Sequence, residues 1–294
     1  MKRRPWAVIP GVLAATALSL AACVTARVEL PAAPVSAGPA IAIQAVAVPL
    51  DPHDPAHVAL GDFVFAGGVA LSSNQSSRLH GLSDLVIQPD GDLLSVTDDG
   101  ADLFTAELVL DDAGRLVGLT HAALRPLTGL DGQPLQGKAW SDAEGVTRLG
   151  GGDMLVSFER EHRIWRYPPA SRRAPSSAPM PTIAMAENDG MEGLAAAPTV
   201  ATDAYWVGVE PGGIWMCHLR TQCDEVRGLP TPPPGYRLSS LTTGPGGELV
   251  ILHHSYLPAI GSRIIVTVVA DPLGAKRTVA SFAISQGSSV TARR

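Results

Sequence analysis

The sequence lacks the local signatures on which most enzyme assignments rest. It has no Gly-x-Ser-x-Gly elbow, no His-Glu-x-x-His pair and no Cys-x-x-Cys, so serine-triad, zinc-protease and dithiol redox chemistry have no support. No basic tract is longer than Arg172-Arg173 and the formal net charge is -6, which argues against a nucleic-acid partner needing a basic face. Beyond the N-terminus there is no amphipathic run long enough for a helix, and the apolar run Trp6 to Leu20 falls short of the ~18–20 residues that cross a bilayer. Gly132 to Lys138 imitates a phosphate-binding loop, but Ala139 stands where a Ser or Thr would hold Mg²⁺. No helix start is read after it, and that reading is rejected.

Cysteine is scarce, with three residues in 294. Cys23 follows Lys2-Arg3-Arg4, the apolar run and the small residues Leu20-Ala21-Ala22. This pattern resembles a bacterial lipoprotein signal, whose thiol carries lipid after cleavage; an ordinary cleaved signal peptide is the alternative. A lipid-anchored protein on the periplasmic or outer side of the cell envelope is therefore expected, otherwise a secreted one. The membrane is its partner through Cys23, stably so if several acyl groups are attached. Cys217 and Cys223 remain as a pair in an oxidising compartment, flanking what reads as a tight strand-turn-strand, and are expected to form a disulfide.

The 30 Gly and 25 Pro punctuate many short apolar segments, which favours an all-β protein. Residues 1–22 read as signal peptide and 23–58 as a Pro/Ala-rich tether, with Ile41 to Val48 able to join a sheet; residues 59–294 read as the folded domain. Four echoes organise that domain. Gly81-Leu82-Ser83-Asp84-Leu85, Asp142-Ala143-Glu144-Gly145-Val146, Gly190-Met191-Glu192-Gly193-Leu194 and Arg237-Leu238-Ser239-Ser240-Leu241 each open an apolar segment. A second segment answers each after a turn, ending at Asp98-Asp99, Glu159, Glu210 and His253-His254. The openings are spaced by 61, 48 and 47 residues. Periods of ~40–50 residues with several strands per unit point to a β-propeller, here of about five to six blades with the last incomplete. A β-sandwich is the competing architecture.

In an antiparallel hairpin the start of one strand and the end of the next share an edge. Radial hairpins would therefore gather Asp98, Glu144, Glu159, Glu192 and Glu210 on one face. Such a set suits Ca²⁺, a hard cation that takes oxygen ligands from separate loops. On this reading Glu144 and Glu192 act as ligands or bases, while Arg160, His162 and Lys138 meet substrate anions. The plain alternative is that strand-end carboxylates only hydrate the face or cap turns, and Asp84 and Asp142 are read as turn stabilisers. A monomer is expected.

The ordered set of these pieces resembles the phytase-like family, "esterase-like activity of phytase". The resemblance is carried by Gly81 to Leu85 with Ser95-Val96-Thr97-Asp98-Asp99-Gly100, by Asp142-Ala143-Glu144-Gly145, and by Ser157-Phe158-Glu159-Arg160 with Ile164-Trp165-Arg166-Tyr167. Met191-Glu192-Gly193-Leu194-Ala195 and Gly235-Tyr236-Arg237-Leu238 follow in order. It implies an envelope or secreted propeller with ester- or phosphoester-cleaving activity on a small anionic ester. The family's further acidic-Gly-Ile opening and Ser-Asp-Asp-Asn strand are not found after Ser239, so either the tail strands complete an N-terminal blade or the ring lacks its last blade.

Overall fold

The computed structural model describes residues 40–169 and 174–285, with 291–292 as backbone. The signal segment, Cys23 and the tether up to residue 39 lie outside the described residues. Four short strands come first: β1 (Gln44–Ala47), β2 (Ala59–Leu60), β3 (Phe63–Val64) and β4 (Val69–Ser72). Blade 1 is β5 (Leu82–Ile87), β6 (Asp92–Thr97), β7 (Asp102–Leu110) and β8 (Leu116–Pro126). One helical turn, α1 (Lys138–Ser141), starts where no helix was expected and leads into blade 2. That blade is β9 (Ala143–Arg148), β10 (Met154–Phe158), β11 (Arg163–Tyr167) and β12 (Ser176–Ala178). Blade 3 is β13 (Gly193–Ala196), β14 (Ala204–Gly208), β15 (Ile214–His218) and β16 (Cys223–Glu225). Blade 4 is β17 (Arg237–Thr243), β18 (Leu249–Leu257), β19 (Gly261–Ala270), β20 (Arg277–Ser285) and β21 (Thr291–Ala292).

Every blade is an antiparallel meander in sequence order, and the fold is an all-β propeller of four blades. The expectation of five to six is corrected: each echo builds one blade and no more. The long first interval is filled by the extended β7 and β8 and by the excursion to α1. After β19, strands β20 and β21 are added to the outside of blade 4 instead of opening another blade. The inner strands β5, β9, β13 and β17 touch in turn, and β17 also meets β5.

Three seams between blades are apolar. Val96, Leu103, Val146 and Val156 join blades 1 and 2; Leu155, Ile164, Leu194 and Tyr205 join blades 2 and 3; Trp206, Ile214, Leu238 and Leu241 join blades 3 and 4. The echoed glycine answers to this packing. A Cβ on Gly145 would lie 2.9 Å from Leu194 Cβ, and one on Gly193 would lie 2.6 Å from Leu241 Cγ. The Glu-Gly-apolar motif thus lets the backbone approach the next blade while the glutamate stays at the strand mouth.

The seam between blades 4 and 1 differs. Ser240 donates a hydrogen bond of 2.7 Å to Asp84, and the N-terminal segment fills the outer space. There β1 pairs with β4, Ile41, Ile43, Val69 and Leu71 pack on Leu93 and Phe104 of blade 1, and Phe63 meets Phe282 of blade 4 edge-on at 4.9 Å. Among the described residues no helix is long and apolar enough to cross a membrane. Cys217 and Cys223 face each other across β15 and β16 and form a disulfide, with Cα atoms 4.0 Å apart.

Candidate functional site

The mouths of the inner strands bring together carboxylates that are far apart in sequence. Asp142, Glu144 and Glu159 offer oxygens within 4.8 Å of one another, and so do Glu159, Glu192 and Glu210. Glu159 belongs to both groups and is their hub. Its position follows from pairing: Glu159 N–H donates to the Asp142 carbonyl, and Glu210 N–H to that of Gly190, continuing each hairpin one step past its strands. Asp98 makes the matching bond to Gly81, but its carboxylate lies against Gly81 and joins neither group.

The ion pairs divide the cluster. Asp142, fully buried, accepts from Lys138 at 2.5 Å on one oxygen and from Arg160 at 2.7 Å on the other. Arg160 also reaches Glu187 at 3.1 Å, and Lys138 donates to the Asp98 carbonyl at 2.6 Å. Glu210 is paired with Arg237 at 3.2 Å, and Arg237 also binds Asp189. Glu144, Glu159 and Glu192 have no salt bridge among the described residues; Glu144 accepts one neutral hydrogen bond, from Ser83 at 2.9 Å.

That shortage of positive charge appears in their acidity. Burial, followed by the charges of Asp142 and Glu159, pushes Glu144 up to about 8 against the hydrogen bond from Ser83. Burial and Asp142 push Glu159 up to about 7. Burial and the charges of Glu144, Glu210 and Glu159 push Glu192 up to about 10. Burial raises Glu210 while Arg237 opposes it, and burial raises Asp98 while Lys138 opposes it. Desolvation and like charge both disfavour ionised carboxylates, so Glu144 and Glu192 hold protons at neutral pH unless a cation compensates the cluster.

Several placements depart from the sequence reading. Lys138 and Arg160 are committed to Asp142, and His162 turns its Nε2 to the Ala186 carbonyl at 3.0 Å. Asp142 and Asp84, read as turn stabilisers, sit in the interior network. Asp84 has a positive φ of 48° at a bulge in β5, where its carboxylate accepts from Ser240 and from Val146 N–H. It thereby links blade 1 to both neighbouring blades, and burial raises it to about 7. The Ser83-Asp84 and Ser239-Ser240 pairs at echo positions were the available signal: polar residues standing where blades 2 and 3 carry Glu-Gly. His253 is buried with Nε2 lacking a hydrogen-bond partner, and burial lowers it to about 4; His254 bonds Ser262 at 2.9 Å.

Four meandering blades around a carboxylate-rich axis define a β-propeller with an acidic central site. Residues 77–291 match the phytase-like family model, "esterase-like activity of phytase", and the chain belongs to that family. No curated relative matches the sequence. Similar solved structures include virginiamycin B lyase from Staphylococcus aureus in a catalytically inactive form with quinupristin, at 10% identity over 77% of this chain and 73% of that one, TM-score 0.40. A streptogramin B lyase matches at 14% identity over 69% and 66%, TM-score 0.40. Selenomethionine-substituted virginiamycin B lyase from Staphylococcus aureus matches at 12% over 84% and 83%, TM-score 0.41. At these identities and scores the likeness carries no functional argument.

Proposed function

We propose that this phytase-like propeller is a metal-dependent hydrolase of phosphate or carboxylate esters, anchored to the cell envelope by lipid on Cys23. The observation that carries the reading is that Glu159 joins two carboxylate groups, one with Asp142 and Glu144 and one with Glu192 and Glu210, in which Glu144, Glu159 and Glu192 have no salt bridge among the described residues. The donor set of the second group fits a hard cation: every ligand is a carboxylate oxygen. Ca²⁺ held by Glu159, Glu192 and Glu210, whose oxygens lie within 4.8 Å of one another, would polarise a phosphoryl or acyl oxygen and acidify a water.

The residues of the chain supply the rest. Glu159 and Glu192 would be ionised while they hold the ion. Glu144, outside that group and steadied by Ser83, can take a proton from the attacking water and return it to the leaving oxygen. The Lys138–Asp142–Arg160 triad fixes Glu159 beside them and leaves the guanidinium of Arg160 at the rim of the site, available to an anionic substrate only by sharing.

The second reading is a propeller that binds a ligand or partner without turning it over. It is favoured by the commitment of both Lys138 and Arg160 to Asp142, which leaves substrate anions few free cations. Hydrolysis of p-nitrophenyl acetate and p-nitrophenyl phosphate should be followed with Ca²⁺ and with chelator, in wild type, Glu144→Gln and Glu192→Gln. The hydrolase reading expects Ca²⁺-dependent turnover that falls at least 100-fold, on the order of a lost base, in Glu144→Gln, and a weakened Ca²⁺ dependence in Glu192→Gln. Stabilisation by Ca²⁺ without turnover would transfer the site to the binding reading, and neither effect would remove both. Anchoring is checked by fractionating cells that express the full chain and Cys23→Ser; equal release of both into the soluble fraction would overturn it.

A further inference from the structure

We propose that the seam between blades 1 and 2 holds a second binding site, for a small oxyanion-bearing molecule with an apolar body, gripped by Arg125 and Arg148. A cleft of about 290 Å³ lies elsewhere along the axis, lined by Thr147, Leu194 and Thr243. The cleft at this seam is larger, about 610 Å³, and lies between elements whose pairing fixes its walls. Arg125 on β8 is the register partner of Leu103 on β7, so blade 1 presents one guanidinium beside an apolar side chain. Arg148 on β9 is the register partner of Met154 on β10, so blade 2 presents the same combination from the other side. Tyr167, paired with Met154 on its other flank, stands in the wall and donates to the Thr128 carbonyl at 3.0 Å.

Charge distinguishes the two arginines from the carboxylate-paired majority among the described residues. The protein is acidic overall, with a formal charge of -6, and its arginines commonly carry carboxylates: Arg78 pairs with Asp102, Arg160 with Asp142, Arg166 with Asp153 and Arg237 with Glu210. Arg125 and Arg148 have no ion-pair partner among the described residues, and no residue lining the cleft is acidic. Two planar guanidiniums presented from opposite walls match the oxygens of a phosphate or carboxylate better than flexible ammonium groups would. The volume is far larger than one such head group needs. Leu103, Leu127, Met154 and the prolines at 126 and 169 line the remainder, which is the usual make-up of a small-molecule site: apolar walls with a few placed polar groups.

The site is separate from the carboxylate centre, so its test does not depend on hydrolysis. Titration calorimetry of the purified protein with phenyl phosphate, benzoate and inorganic phosphate should show binding of at least one aryl anion, tighter than inorganic phosphate. The two aryl probes decide between a phosphate and a carboxylate head. Arg125→Gln and Arg148→Gln should each weaken that binding about tenfold, the double variant should abolish it, and Arg277→Gln, exposed on β20 of blade 4, should bind as wild type does. Arg125→Lys and Arg148→Lys, which keep the charge and the stem, should retain part of the affinity and serve if the Gln double variant fails to fold. Unchanged binding in the folded Gln variants would overturn the proposal. So would equal loss in Arg277→Gln, or no binding of any of the three probes to wild type.

Discussion

The seam between blades 3 and 4 and the seam between blades 4 and 1 perform the same geometric task with different chemistry. The first is a dry interdigitation of Trp206, Ile214, Leu238 and Leu241, so close that Gly193 and Gly208 have no room for a methyl group. The second has Leu82, Leu85 and Ile87 exposed on β5, with one hydrogen bond from Ser240 to Asp84 and a borrowed N-terminal segment in place of a shared core. A radial fold does not need equivalent joints. Where apolar area is buried, each large side chain contributes about 1.5–3 kcal/mol; where it is not, polar links set the register with about 1 kcal/mol apiece. The acidic centre follows the same division, since Glu144 and Glu192 come from the blades flanked by apolar seams, while blades 1 and 4 contribute serines at those positions.

The largest expected effect comes from breaking the dry seam. Gly193→Val places a branched side chain against Leu241 and Leu238 and should cost about 3 kcal/mol or more, seen as a lowered urea midpoint or loss of a cooperative transition. A stability equal to wild type would show that the close approach at this joint is not required.

An intermediate effect is expected from pH, because Asp84 at the weak seam and the glutamates at the centre are both raised. A carboxyl that binds its proton more tightly in the folded chain stabilises the fold below its unfolded value and loses that contribution as pH rises through the folded value. Without a divalent cation, the melting temperature should therefore fall by about 5 °C between pH 5 and pH 9. Added Ca²⁺ should flatten the fall if the centre dominates it, and Asp84→Asn should flatten it if the seam does. A melting temperature that rises over that range in chelator would contradict both.

The smallest effects sharpen the contrast at the weak seam itself. Ser240→Ala should cost about 1 kcal/mol, and Phe63→Ala about 1–2 kcal/mol through lost packing on Phe282. Hydrogen exchange should locate the first loss in β5 and β17 and the second in β3 and β20, with the protection of β10 and β14 unchanged. Uniform loss over all four blades would mean that the seam is not an independent weak point.

Much of the fold was legible because its determinants are local. Turn residues such as Pro89-Asp90-Gly91 and Gly150-Gly151-Gly152 mark where strands reverse, and the repeating Glu-Gly-apolar opening records both a strand mouth and a tight approach. The Cys217–Cys223 disulfide is legible because a short hairpin brings the two residues opposite each other. The matched positions of Glu144, Glu159, Glu192 and Glu210 likewise follow from hairpin length, whereas Asp98, at the same formal position, is turned against Gly81.

By itself, then, the sequence determined strand identity, the repeat and which carboxylates stand at strand mouths, since each depends on contacts within one hairpin. Only the tertiary structure decided that four blades close around the axis, that Asp84 and Ser240 meet across 156 positions, and that Lys138 and Arg160 neutralise Asp142 instead of waiting for substrate. Those outcomes depend on which long or charged side chains find each other once separate blades are packed. Coulomb attraction in a desolvated interior rewards partners by distance in space, to which spacing along the chain gives no guide.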